Sequence, residues 1–213
     1  EHAACAAAGI PLVFLNRRPR GIHGPLIELD DPRACEEATE YLIGLGHRRI
    51  ALVNRDFHFA PFTSRERGYR RAMARHGAQP QVAYVPGRID ESEPATETVV
   101  GQLLASGTRP TAIIAASHGV SIGLLQGIRA SGLSCPRDLS VICFDDSPWS
   151  RFVDSPLSVM MHPTDAISAA AVETLLAEIA AGPTRRKAGV RRFRAHFVKR
   201  ASCGPPPFPS RKS

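Results

Sequence analysis

The run Leu139-Ser140-Val141-Ile142-Cys143-Phe144 ends in two carboxylates, Asp145-Asp146, and a helix-start pair, Ser147-Pro148. Its nearly unbroken hydrophobicity suits a strand covered on both faces of a parallel sheet. Ser147 can cap the next helix, and Pro148 fits its first position, where no N–H is needed. Asp145 is thereby placed at the carboxyl end of a central strand, the edge at which open α/β sheets bind ligands. Adjacent strand residues point to opposite faces, so the two carboxylates are not an acid–base pair. Asp145 is the candidate for ligand contact, against a structural role. Asp146 is assigned the reverse, with bonds to nearby backbone.

The same strand-then-helix grammar recurs along the chain. An apolar strand over 10–15 ends at Asn16, and a second piece, 26–29, precedes Asp30-Asp31-Pro32, a helix-start signal. That helix runs to Leu45, Gly46 ends it, and a strand over 50–53 follows. The loop 54–62 is rich in aromatics, after which Thr63 or Ser64 caps a helix that opens with Arg65. A strand over 82–85, a helix from Glu91, a strand over 111–116 and a helix over 119–130 lead back to the organising strand. Beyond it come a strand over 155–161, a helix over 164–180, a last strand over 190–199 and a proline-rich end. Repeated β-α units imply a parallel, doubly wound sheet with right-handed crossovers.

The net charge of +7 raises the question of nucleic acid, so its location matters. Ten of the 27 Lys and Arg residues follow Glu178 and none of the 20 Asp and Glu residues does, which leaves the first 178 residues at −3. A basic tail alternating with Phe193, Phe197 and Val198 reads as a solvated strand face, and no DNA-reading head is recognisable in the sequence. No run approaches the ~18 apolar residues of a membrane span. The opening residues lack the basic segment of a signal peptide and read as the last turns of a helix. Five scattered cysteines without C-x-x-C, and eight histidines without ligand spacing, argue against disulfides, metals and cofactors and for a reduced cytoplasmic setting. No nucleophile elbow, P-loop or G-x-G-x-x-G follows a strand, so an enzyme using Asp145 with His162 or His118 is disfavoured.

Seven segments, taken in order, resemble the effector-binding core of the lactose-repressor/galactose-repressor family of bacterial transcription regulators. They are Gly9-Ile10-Pro11-Leu12-Val13, Leu45-Gly46-His47-Arg48-Arg49-Ile50-Ala51-Leu52, Arg65-Glu66-Arg67-Gly68-Tyr69 and Arg109-Pro110-Thr111-Ala112-Ile113, followed by the organising strand from Asp138 to Asp146. Pro156-Leu157-Ser158-Val159 and Phe197-Val198-Lys199-Arg200-Ala201-Ser202 complete the set, which spans residues 9–203.

The resemblance implies a periplasmic-binding-protein-like α/β fold of two Rossmann-like parallel-sheet lobes, the first of them incomplete. Residues 1–29 with 160–188 would be the remnant of the N-terminal lobe, 30–159 with 189–203 the C-terminal lobe, and 204–213 a disordered tail. Crossovers are expected near Leu29-Asp30, at 159–162 and before Val190. The implied function is the effector-binding and dimerisation part of a repressor, whose DNA-binding head would precede Glu1. A solute-binding protein of the same fold is the alternative. Arg65 matches the family's effector-binding arginine, against a surface ion pair with Glu66 or another acid, and Asp145 matches its ligand-binding aspartate. Asn16, Ser117 and His162 fall where the family places polar contacts, or are hydrogen-bonded strand ends. Ser117-His118 replaces the usual Asn-Asp, and Ile89 stands where a stacking aromatic is found, a ring that Phe57 or Phe59 would have to supply. With that Asp replaced by His118, and Asn16 standing at a position that is frequently acidic in the family, the expected effector shifts from a plain sugar towards a sugar acid or sugar phosphate. The partners implied are that small molecule, a second copy of the chain through the region of Trp149 and Phe152, and operator DNA through the head alone.

Overall fold

The chain divides into two compact units, Glu1–Asp30 with His162–Ala195, and Asp31–Met161 with His196–Ser213. The structure, a computed structural model, describes residues 2–56, 59–87, 92–182 and 189–207. Phe57, Ile89, Glu91 and residues 208–213 of the expected tail lie outside the described residues. The first unit opens with α1 (His2–Ala7), β1 (Phe14–Leu15) and β2 (Leu26–Leu29). The second runs α2 (Asp31–Gly44), β3 (Ile50–Arg55), α3 (Ala60–Arg75), β4 (Gln81–Val85) and α4 (Ser92–Ala105). It continues with β5 (Ala112–Ala115), α5 (His118–Ala130), β6 (Ser140–Phe144), a 3-10 turn at Pro148–Arg151 and β7 (Ser158–Met161). α6 (Thr164–Ala181) and β8 (Val190–Phe193) belong to the first unit, and β9 (His196–Val198) to the second.

The larger unit is built on six strands in the order β4-β3-β5-β6-β7-β9. All pairs are parallel except β7 with β9. Every residue of β3, β5 and β6 is buried, as expected of the apolar runs 50–53, 112–115 and 141–144, and the polar Asn54, Arg55 and Ser140 are buried with them. Alternation divides these side chains between two layers. Val53, Ile113, Val141 and Cys143 form one core with Val100 of α4 and Leu124 and Ile128 of α5. On the opposite face Leu52, Ile114, Ile142 and Phe144 are covered through α2, which buries Ala34, Ala38 and Leu42, and α3, which buries Phe62, Tyr69 and Met73. Each Leu, Ile, Phe or Met among them contributes roughly 1.5–3 kcal/mol by leaving water. The Tyr69 hydroxyl donates to the Ile50 carbonyl at 2.7 Å, tying α3 to the sheet.

His47 pins the junction between α2 and β3. It is fully buried, its Nε2 donates to the Gly204 carbonyl at 2.9 Å, and its Nδ1 lies 2.8 Å from the Thr111 hydroxyl. Burial lowers its pKa, so the ring is held neutral with the proton on Nε2. Residues 204–207, assigned to a disordered tail from the sequence, are instead placed against the larger unit. Gly204 is hydrogen-bonded to His47 and Ser140, and Pro206 packs 3.5 Å from the position a Cβ on Gly46 would take.

The last strand also differs from expectation. Residues 190–199 form two strands, because β8 pairs in parallel with β2 of the smaller unit while β9 runs antiparallel to β7 of the larger one. The third crossover thus falls at 195–196, after β8 and not before Val190. The strand expected over 10–15 shortens to Phe14–Leu15, the two residues that find partners on β2, since Pro11 has no N–H to offer a ladder. The smaller unit holds the parallel sheet β1-β2-β8, and its α6 buries Ala170 alone.

α2 and α3 approach so closely that a Cβ on Gly68 would overlap the Pro32 carbonyl. Gly68→Ala should therefore force the helices apart and cost about 3 kcal/mol. Urea unfolding followed by circular dichroism should show the loss, and an unchanged midpoint would refute the close approach.

Candidate functional site

Because five strands of the larger sheet are parallel, their carboxyl ends share one edge. β3 ends there in Asn54-Arg55, β5 leads to Ala116-Ser117, and β6 leads to Asp145-Asp146. Arg65 reaches the same edge from α3. This helix starts at Ala60 with Phe59 as its N-cap, so Arg65 sits in its second turn and does not open it, as the sequence had suggested. Pro61 explains the earlier start, since proline is favoured in a first turn.

Arg65 is only 4% exposed. Its Nε donates to Asp31 Oδ1 at 2.6 Å, its Nη1 donates to the Ala116 carbonyl at 2.5 Å, and its guanidinium lies 4.1 Å over the Phe144 ring. The partner is thus Asp31, at the first turn of α2, and not the neighbouring Glu66, which pairs with Arg70 at 2.8 Å. Three elements fix the planar fork, and the residue after the ring beneath it is Asp145. That carboxylate emerges with φ 73°, while its N–H donates to the Met160 carbonyl at 3.1 Å. Among the described residues, Asp145 and Asn16, with φ 57°, are the only non-glycine residues in the left-handed region. Such backbone costs of order 1–3 kcal/mol and concentrates at functional sites, although Asn and Asp tolerate it best.

Ser117 is the N-cap of α5, but its hydroxyl makes no capping bond, and its carbonyl accepts from the Ser121 hydroxyl at 3.0 Å. His118 Nδ1 is 2.6 Å from the Ser147 hydroxyl, so Ser147 likewise does not cap the 3-10 turn after it. Phe59 is half-buried, its ring 5.6 Å from that of Phe62. Arg65, Asp145, Ser117 and Phe59 therefore belong to the larger unit, while Asn16 and His162 belong to the smaller one, each at the end of a strand. Among the described residues no group of three His, Cys, Asp or Glu is placed to hold a metal ion. No described helix is long and apolar enough to cross a membrane.

Residues 39–203 match the family described as periplasmic binding protein-like domain. The chain belongs to that family. The HTH-type transcriptional regulator reg1 of Streptomyces lividans is 33% identical over 203 residues, 93% of this chain and 58% of its own length. The ribose operon repressor of Haemophilus influenzae is 34% identical over 145 residues, 67% of this chain and 42% of its own length. The chain thus spans about half the length of these relatives. A LacI family transcriptional regulator from Enterococcus faecium, solved with bound ribose, shares the fold with a TM-score of 0.82 at 23% identity, covering 94% of this chain and 73% of that one. A LacI transcriptional regulator from a Rhodococcus species is similar at 29% identity with a TM-score of 0.82, covering 95% of this chain and 73% of that one.

In this periplasmic-binding-protein-like chain the second aspartate is structural, as expected, though its partners are side chains. Arg200 Nη1 and Nη2 reach Asp146 Oδ1 and Oδ2 at 2.8 and 2.7 Å, joined by Ser150 at 2.9 Å and Arg151 at 2.9 Å. The Arg200 bonds, above all, hold its carboxyl well below the usual carboxylate range. Sequence reasoning missed three residues at the edge. Asp31 was read as a helix start, and its role as counter-ion depends on a contact 34 residues away. Asn54 and Arg55 were assigned to the loop after a strand ending at Val53. The signal available was their polarity directly after a buried parallel strand, where ligand-facing groups are expected.

A folded-state pKa below the unfolded one contributes stability that is present above the ordinary carboxylate value, about 4, and fades as pH falls below it. Asp146→Asn should therefore cost about 3 kcal/mol at pH 7, since it leaves Arg200 without its counter-charge. The gap between parent and variant should narrow steadily on acidification below about pH 4. Urea titrations across that range check both the size and the sign.

Proposed function

We propose that this chain is the effector-binding and dimerisation part of a DNA-binding transcriptional repressor of LacI type. The observation that carries the reading is the preset Arg65 fork, stacked on Phe144 beside the left-handed Asp145 at the carboxyl edge of a parallel sheet. A guanidinium offers donors and a carboxylate offers acceptors, the combination that grips the hydroxyls of a sugar or sugar-derived molecule. The two units are the two lobes of the effector domain. Effector controls DNA binding only insofar as it prefers one arrangement of the lobes over another.

The reading makes the protein a cytoplasmic binding module without catalysis, and operator recognition belongs to a segment outside this chain. It also makes the chain a dimer. The supporting feature is a groove of about 710 Å³ lined by Leu125, Arg129, Trp149 and Val153, next to a Phe152 side chain that is 87% exposed. A ring so exposed beside an apolar groove suits a protein–protein contact.

Calorimetry against ribose, other pentoses and hexoses, sugar acids and sugar phosphates tests the first part. The expected result is binding of one class, weakened roughly 10- to 100-fold by Arg65→Ala or Asp145→Ala, as loss of a charged hydrogen-bond partner implies. Equal binding by parent and both variants would remove these residues from the site. Sedimentation equilibrium tests the second part. The parent should dimerise in the micromolar range and Phe152→Glu should shift it towards monomer, while a parent that stays monomeric at high concentration sinks the dimer.

A further inference from the structure

Among the described residues of the larger unit, two arginines that are largely withdrawn from water have an acid. Arg65 pairs with Asp31, and Arg200 pairs with Asp146. Arg55, the last residue of β3, is only 4% exposed, yet among the described residues its only side-chain bond is from Nη2 to the Gly87 carbonyl at 2.7 Å. Its Nε and Nη1 are buried with no hydrogen-bond partner among the described residues. Burying a guanidinium without a counter-charge is among the most costly arrangements a core can contain. A satisfied structural arginine does not look like this. The bond to Gly87 fixes the plane of the group, and the backbone N–H of Arg55 is occupied by Asn54 Oδ1 at 3.0 Å, so the side chain is held in place with donors to spare. Its position is the ligand-binding edge of the parallel sheet, the same edge at which β6 presents Asp145.

We propose that Arg55 is an anion-binding residue, taking the carboxylate or phosphate group of the effector on its Nε–H and Nη1–H donors. This deepens the effector-binding reading and rests on it for the rest of the molecule bound, a sugar acid or a sugar phosphate rather than a neutral sugar. Planar guanidinium donors match both oxyanions, so the chemistry at Arg55 is shared by the two classes.

The test uses the 213-residue chain with Arg55→Met, which keeps the bulk of the stem, and Arg55→Lys, which keeps the charge. Ribose, ribonate, ribose 5-phosphate and inorganic phosphate are the probes, in calorimetry and in thermal unfolding in chloride buffer of matched ionic strength. At least one anionic probe should bind the parent about tenfold or more tighter than ribose, with Arg55→Met abolishing the difference and Arg55→Lys restoring part of it. Ribonate and ribose 5-phosphate separate a carboxylate from a phosphate. Without any anion, Arg55→Met should melt no lower than the parent, because it removes an uncompensated buried charge. An Arg55→Met protein that melts well below the parent, or a parent without any anion-dependent binding or stabilisation that Arg55→Met abolishes, overturns the proposal. Ribose binding that is indifferent to Arg55, with no anion effect, sinks the anion role and leaves the sugar-effector reading. Phosphate binding that depends on Arg55, with no sugar probe adding to it, does the opposite.

Discussion

The larger unit depends on how a guanidinium is neutralised out of reach of water. Arg65 sits in α3 with 4% of its surface exposed, and a charge so placed is costly unless an opposite one meets it. Asp31 supplies it from the first turn of α2, where a carboxylate also complements the helix dipole. The bond to the Ala116 carbonyl and the stack on Phe144 bring in β5 and β6. One side chain thereby binds two helices to two strands, and the close approach of α2 to α3 at Gly68 lets it do so. The same ties fix the backbone ahead of Asp145, so the organisation of the edge and the packing of the helices are one constraint.

A second set of ties comes from the far end of the chain. β9 adds an antiparallel strand beside β7, and the residues after it are threaded back into the sheet by hydrogen bonds. Ser202 is fully buried, donating to the Val141 carbonyl at 2.6 Å and accepting from the Ser158 N–H at 2.7 Å. Arg200 holds Asp146, and Gly204 closes on His47. Asp146 is therefore anchored from its own neighbourhood and from 54 residues away, while Asp145, one position earlier, turns out of the strand in left-handed backbone. The two adjacent carboxylates part company because one of them is held as the counter-ion of Arg200.

The alternation of strands and helices was legible residue by residue because burial leaves a local mark. An apolar run such as Val141-Ile142-Cys143-Phe144 has no reading but a covered strand, and Asp145 after it has to stand at the sheet edge. The family was legible from the order of its segments, since spacing along the chain survives when individual residues change. Elements with few partners were misjudged. The 10–15 strand shrank to two residues, and the 190–199 strand split between two sheets. Strand length and membership are decided by which neighbour offers a ladder, and a sequence names no neighbour.

At the edge the division is the same. By itself the sequence determined that there are parallel β-α units, that Asp145 follows a buried strand at the carboxyl edge of the sheet, and that Asp146 is structural. Those conclusions follow from period, polarity and position along the chain. Only the tertiary structure decided that Arg65 is neutralised by Asp31, that Asp146 is claimed by Arg200, and that Arg55 is buried with donors unfilled by any described residue. Charge pairing across 34 or 54 residues depends on distances in space, and Coulomb attraction in a low-dielectric interior rewards nearness that sequence separation does not encode.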